Sequence, residues 1–352
     1  MVTGDINEIE RCHMNSVKIN KLFDKITSAK NIHESTLLIE NTRGDYSICK
    51  EYNRTIDTPM LMASITKLFT TTCVLALIEE GKISLEDKII KYLGEEIVEG
   101  LHIYKGQEYS GELTISHLLF QNSGLPDFYL DGTGAIFSKV KKGDFSYSFK
   151  DELGWIKRMK AHFKPGTPKK AYYTDANFDL LGKIIEIVKE CTLKEAYEAY
   201  IIKPLGLNNT YLPASQNEFI PHTYFKNERL ERPQFIRSSF AGGGGVTTAR
   251  EMMLFLKAFY NGKLFDKTIL SSLEGSNPLQ LSFWPIHYAG GYMTISASYP
   301  FGEKVKLVGH CGSTGSFAFY SPQKDLFIVG DLAQIASPST GIRLAIQVAL
   351  SV

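Results

Sequence analysis

Between Pro59 and Ile78 the chain reads Pro-Met-Leu-Met-Ala-Ser64-Ile-Thr-Lys67-Leu-Phe-Thr-Thr-Thr-Cys-Val-Leu-Ala-Leu-Ile, and Lys67 is its one charged residue. A helix without a polar face has to be enclosed on every side. The stretch therefore predicts a core helix about which the other elements pack, with Gly81 as its stop. Ser64 falls in the first turn, where unpaired N–H groups and the positive dipole end gather. Lys67, three residues on, shares its face. A serine hydroxyl attacks poorly until a base takes its proton, and a desolvated lysine can be that base. Ser64 is thus a candidate nucleophile and Lys67 its partner. Ser-x-x-Lys also occurs at Ser47/Lys50, Ser138/Lys141 and Ser321/Lys324, but in polar or turn-rich surroundings. By itself the pair leaves a second reading open, a helix-opening serine beside a snorkelling lysine.

A chain of 352 residues, 43% hydrophobic, holds either two domains or one large domain with an inserted region. A net charge of +1 gives no electrostatic reason to expect nucleic acid or an acidic membrane as partner. The five cysteines, Cys12, Cys49, Cys73, Cys191 and Cys311, include no Cys-x-x-Cys pair. Neither a zinc knuckle nor a disulfide framework is expected, and the odd number suits a reducing compartment. Residues 1–8 lack the basic-then-apolar pattern of an export signal, and no apolar run is long enough to span a membrane. As written, the protein is expected to be cytoplasmic; an export signal trimmed away would leave the same sequence.

Residues 5–30 carry Ile19, Leu22, Phe23 and Ile26 at helical spacing. Residues 35–40 and 46–52 are strand candidates joined by Asn41-Thr-Arg-Gly-Asp45, so a hairpin is expected. From 82 to 240 helix and loop dominate: residues 83–90, 113–119, 176–190 and 192–202 are helix-like, and 131–150 reads as a long surface loop. The run Ala241-Gly-Gly-Gly-Gly-Val246 opens a capped helix. It lacks the preceding strand and following lysine of a phosphate loop, so it is read as close backbone approach beside a cleft. Strand candidates at 291–296, 305–310, 316–320 and 326–330, joined by short turns, predict an antiparallel sheet before a last apolar helix at 341–352. The expected class is α+β, an antiparallel sheet flanked by helices. Residues 1–81 and 241–352 would form the sheet region, with 82–240 a mostly helical insertion.

Two further stretches fall in line with Ser64-Ile-Thr-Lys67. One runs from Phe163-Lys-Pro-Gly through Tyr173-Thr-Asp175-Ala-Asn to Gly182; the other is Leu307-Val-Gly-His310-Cys311-Gly312-Ser313-Thr-Gly-Ser-Phe317. In order and rough spacing the three resemble the serine β-lactamase and penicillin-binding superfamily. The likeness is to its class C β-lactamase-like branch, with DD-peptidase, D-amino-acid peptidase and esterase relatives. Thr114-Ile-Ser-His-Leu-Leu, Asn122-Ser-Gly-Leu-Pro126 and the 241–250 stretch support it, and together they cover roughly residues 30–335. The resemblance implies a β-lactamase/transpeptidase-like fold and an acyl-enzyme on Ser64, with no metal or cofactor. Lys67 and Tyr173 would move the proton, the phenol being eased toward ionisation by two nearby cations, and Tyr173 would protonate the leaving group. His310 would support Tyr173 or face a substrate carboxylate, and the backbone N–H groups of Ser64 and Ser313 would form the oxyanion hole. Asp175, Cys311, Gly312 and Asn122 would meet the substrate, a small molecule or peptide.

Two departures bear on that substrate. Asp175 stands where Asn is usual, and a carboxylate cannot donate to a substrate carbonyl. Cys311 stands where Thr or Ser is usual, and a thiol is a weak donor. Slow β-lactam hydrolysis at best is expected, with esters or D-residue amides and peptides as better substrates. Cys311 is also expected to make the protein sensitive to bulky thiol reagents. The alternatives are a carboxylesterase with no lactam or peptide role and a non-catalytic penicillin-binding or scaffold protein. The oligomeric state is open.

Overall fold

The computed structural model describes the backbone of residues 3–131, 136–298 and 304–352, and side chains from Asn15 onward. Its main feature is an eight-stranded sheet, antiparallel throughout. The hairpin comprises β1 (Ser35–Glu40) and β2 (Ser47–Tyr52). The C-terminal part supplies β3 (Asn277–Pro278), β4 (His287–Tyr288), β5 (Met293–Ser298), β6 (Lys304–Cys311), β7 (Phe317–Ser321) and β8 (Leu326–Asp331). The spatial order is β2-β1-β8-β7-β6-β5-β4-β3, so the two ends of the chain join where β1 pairs with β8. Thr36 lies opposite Asp331 in that pairing. Nearby, Arg54 Nη1 bonds Asp331 at 2.8 Å and Glu34 at 3.2 Å, and Nη2 bonds the Pro59 carbonyl at 2.7 Å.

Every residue of β8 is buried, and both α9 (Ala249–Asn261) and α10 (Ser339–Ser351) pack on it, so they cover its two faces. The N-terminal helix α1 (Thr3–Thr27) lies against α10 and buries Ile19 and Phe23. The apolar stretch forms α2 (Thr66–Glu79), buried from Thr66 to Leu77, with Gly81 in the left-handed region just past its end. Phe69 of α2 stacks on Phe255 of α9 with centroids 4.0 Å apart.

Between 82 and 240 stand α3 (Ile90–Val98), α4 (Ile115–Leu119), α5 (Ile136–Lys142), α6 (Phe149–Ile156), α7 (Ala176–Lys189) and α8 (Leu193–Tyr197). Two sequence expectations are corrected here. Residues 83–89 are not helical. The Asp87 carboxylate takes the Ser84 N–H, and Ile89 N donates to Leu113 O at 2.9 Å, so these backbone groups pair across a bridge. The 131–150 segment is not simply a loop. Ile136 and Val140 bury one face of α5, and Ser148 and Asp151 cap α6 reciprocally; residues 132–135 lie outside the described part. Among the described residues no helix is long and apolar enough to cross a membrane.

Candidate active site

Ser64 lies in a tight helical turn, Ala63–Ile65, that feeds straight into α2. Ala63, the residue before it, has φ +45°, a left-handed conformation that costs a residue with a Cβ roughly 1–3 kcal/mol and persists only under surrounding constraint. The constraint is visible. Met60 and Leu61 pair with Thr247 and Val246, Met62 N donates to Gly245 O at 2.9 Å, and Gly245 N donates to Thr66 Oγ1 at 3.0 Å. A Cβ on Gly245 would come within 2.5 Å of Met62 Sδ, so the glycine run permits close backbone approach to the serine turn, as its sequence suggested.

Lys67 is fully buried and its ammonium meets three acceptors: Ser64 Oγ at 3.4 Å, Asp175 Oδ1 at 2.5 Å and Gly242 O at 2.6 Å. Asp175 opens α7, which brings the second stretch to the first. Tyr173, two residues earlier, is buried with its ring 5.0 Å below the Lys67 nitrogen. Among the described residues its hydroxyl meets no hydrogen-bond partner of good geometry, yet Ser64 is close enough to ease its ionisation. Burial first, and the Asp175 carboxylate second, nevertheless push the phenol well above its usual range. The expected second cation is also missing. Burial and Lys67 push His310 down to about 3, so it is neutral.

His310 is fully buried on β6. Its Nδ1 lies 2.8 Å from the Cys311 carbonyl, which can only accept, so Nδ1 carries the proton. That leaves Nε2 to accept from Tyr288 OH at 3.2 Å. With both nitrogens occupied, His310 does not face a substrate carboxylate. It stands behind Tyr173 at a centroid distance of 6.1 Å, with Tyr288 against both rings. Cys311 Sγ lies against Met293 at 3.5 Å, and burial pushes its thiol up to about 12, a poor nucleophile at neutral pH. Sensitivity to thiol reagents at this position is therefore not expected from the geometry. A Cβ on Gly312 would fall 2.7 Å from Met62 O and 2.9 Å from Ala63 Cβ, so the end of β6 lies directly on the serine turn.

Asn122 is nearly buried, and its amide nitrogen donates to Thr167 O at 2.9 Å and to Lys170 O, bracing the segment that leads to Tyr173. Its neighbour Gln121 holds the second stretch more directly. Gln121 exchanges two 3.1 Å hydrogen bonds with Thr174 and accepts from Asn177 at 2.5 Å. Sequence reading missed Gln121, Tyr288, Gln280 and Phe283. Gln280 Oε1 accepts the Tyr173 N–H at 2.9 Å, and Phe283 stacks on the Tyr173 ring at 5.1 Å. The polar–aromatic character of 280–288 could have pointed to the last three, and Gln121 adjoins the Asn122 stretch.

The beta-lactamase family model matches residues 49–346, most of the chain. The chain belongs to the beta-lactamase family. As a member it is a serine hydrolase of the β-lactamase and DD-peptidase type. Similar proteins include a putative D-alanyl-D-alanine carboxypeptidase of Salmonella paratyphi A, 25% identical over 335 residues, 86% of this chain and 73% of that protein. A D-stereospecific amidohydrolase from Streptomyces sp. shares the fold, with TM-score 0.74 at 23% identity over 90% of this chain and 95% of its own. EstCE1, a hydrolase with promiscuous acyltransferase activity, shares it too, with TM-score 0.77 at 16% identity over 96% and 98%. The family placement and the mixed antiparallel-sheet fold agree with the resemblance read from the three stretches.

Proposed function

We propose that this protein hydrolyses an amide or ester through an acyl-enzyme on Ser64, with a D-amino-acid amide, peptide or ester as substrate and β-lactams turned over slowly at most. The observation that supports this most is the Lys67 ammonium 3.4 Å from Ser64 Oγ, with an unbonded Tyr173 hydroxyl buried beside them. Ser64 Oγ attacks the carbonyl carbon while the new oxyanion meets the N–H groups of Ser64 and Ser313. Each such donor is worth roughly 3–4 kcal/mol in the transition state. Tyr173 is a neutral phenol, so the proton passes through it: it receives the Ser64 proton as it gives its own to the leaving nitrogen or oxygen. Lys67 steadies the negative charge that develops on the phenol oxygen. Water then attacks the acyl carbon and returns the proton by the reverse path, freeing the acid and Ser64.

The third stretch bears on substrate charge. Penicillins and acyl-D-alanyl-D-alanine carry a carboxylate, but here the residues at that position are a neutral His310 with both nitrogens bonded and a Cys311 thiol. A neutral leaving group suits the site better than an anionic one. The reading is tested by intact-protein mass spectrometry after incubation with a fluorescent penicillin and, separately, a fluorophosphonate. A fluorophosphonate adduct is expected on the wild type and lost in Ser64→Ala, with little penicillin adduct. A stable stoichiometric penicillin adduct would move the protein to the penicillin-recognising enzymes. Full activity in Ser64→Ala would overturn the nucleophile.

A further inference from the structure

Two segments that meet at Tyr173 have opposite and uncommon compositions, and the chemistry proposed above accounts for neither. From Gly275 to Ser298 the chain contains no Asp, Glu, Lys or Arg. From Leu153 to Thr174 it contains no Asp or Glu, yet it carries Lys157, Arg158, Lys160, Lys164, Lys169 and Lys170. The net charge of +1 conceals this local concentration.

In the first segment, residues 279–286 form a closed loop. Leu279 N donates to Ile286 O at 3.3 Å across its base, Trp284 N to Leu281 O at 3.1 Å and Ile286 N to Phe283 O at 2.8 Å. Leu279 and Ile286 are buried. Gln280 and Phe283 hold the loop to Tyr173 through the hydrogen bond and the ring stack described above. Leu281 and Trp284 are left to water, 86% and 78% exposed. Four anchored residues thus hold two large apolar side chains outward, at a cost in hydration that the fold itself does not recover.

The basic segment lies alongside. Lys169 lines one cleft together with Asn277, two residues before Leu279. Lys169 and Lys170 are both exposed, and among the described residues neither forms an ion pair. Lys170 instead lies over the Phe163 ring at 5.8 Å.

An apolar edge beside exposed cations matches a phospholipid surface. Apolar side chains enter the acyl boundary, tryptophan favours the headgroup level, and lysines meet the phosphates. The convexity of the edge argues against a small ligand, which would cover one side of each projecting side chain, whereas a fluid apolar phase surrounds them. A protein socket would call for a polar rim. The loop offers little of one: Gln280 is bonded to Tyr173, which leaves Ser282 as its other polar side chain.

We infer that Leu281 and Trp284, with Lys169 and Lys170 beside them, dock the protein on an anionic phospholipid surface, the Tyr173 side of the site toward the lipid. This goes beyond the acyl-enzyme reading and does not depend on it.

The test is co-sedimentation of the full chain with vesicles of phosphatidylcholine alone and of phosphatidylcholine mixed with phosphatidylglycerol. Binding to the mixed vesicles is expected to be stronger by at least about tenfold, with a blue shift in tryptophan emission. Of the chain's two tryptophans, Trp155 packs against Phe128 and Tyr147, so the shift reports on Trp284. Leu281→Ser and Trp284→Ser should each weaken binding at least about tenfold. Lys169→Glu combined with Lys170→Glu should remove the preference for anionic lipid. Native circular dichroism in each variant confines the comparison to the surface. Absence of binding to either vesicle overturns the inference, and so does binding unchanged in the Leu281 and Trp284 variants. Equal binding to both vesicles overturns the part given to the lysines. A concentration-dependent dimer in sedimentation velocity, lost in Leu281→Ser, would overturn it in favour of a second copy of the chain. Fluorophosphonate labelling of Ser64 is independent of all these outcomes, so the acyl-enzyme reading stands or falls separately.

Discussion

His310 shows how burial decides what a residue can do. On a solvated strand it would titrate near neutrality, but here it sits with no exposure between Tyr288 and Lys67. The unfolded chain binds a proton near pH 6.5 that the folded chain refuses until about pH 3, so folding loses stability as pH falls through that window. Relative to His310→Gln, wild type should lose about 1.4 kcal/mol per pH unit below 6.5, and urea unfolding at several pH values would show the two curves separating. Equal curves would place water around the ring. Asp175→Asn should remove the carboxylate that pairs with Lys67 and holds the Tyr173 phenol up, changing the substrate profile more than the thermal midpoint. An unchanged profile would confine Asp175 to a structural pairing. At Cys311 the raised thiol and the Met293 contact predict slow modification, with exposed Cys49 labelled before it in peptide maps.

At the scale of elements, the site is a junction of three: the serine turn, the start of α7 and the end of β6. Gly312 lets the last of these touch the first. Gly312→Ala places a Cβ 2.7 Å from Met62 O and 2.2 Å from Ser316 Oγ, so the end of β6 and the serine turn, which carry the proposed oxyanion N–H groups, must part. A shift of about 1 Å there should cost about 10²-fold in kcat, while circular dichroism stays native; an unaltered kcat would place the oxyanion donors elsewhere. The segment between β3 and β4 does similar work from the other side. Gln280→Ala frees the Tyr173 backbone, and kcat should fall more than KM rises.

Across the whole molecule, the first and last parts of the chain share one sheet, and the seam between β1 and β8 is held by a charge that water barely reaches. Arg54 and Asp331 are each 3% exposed in their side chains. Removing Arg54 strands a buried carboxylate, and Arg54→Ala should destabilise by about 3–5 kcal/mol, read from chemical denaturation. A loss below about 1 kcal/mol would mean that water enters the seam. Much of this architecture was legible beforehand. The strands from 291 to 330 announced themselves as consecutive short candidates joined by short turns, and α2 by its unbroken apolar run. The hidden elements were those whose backbone pairs at a distance. Residues 83–89 look helical until their partners at 113–115 are known, and the 131–150 segment looks like loop until the core that receives Ile136 and Val140 is present.

The sequence alone determined which residues could do chemistry here. Ser64 and Lys67 stood out by local context, Tyr173 and His310 by a motif order that resembles the family, and both kinds of signal are written in one dimension. Tertiary structure decided their states. Whether Tyr173 ionises depends on burial and on Asp175, whether His310 is charged depends on burial and on Lys67, and whether the Asn122 amide is free depends on carbonyls 45 and 48 residues away. The same holds for Asp127, Glu152 and Asp179, ordinary acidic residues until folding removes the water that would have screened them. Chemistry type is a property of side chains; charge, orientation and selectivity are properties of what surrounds them.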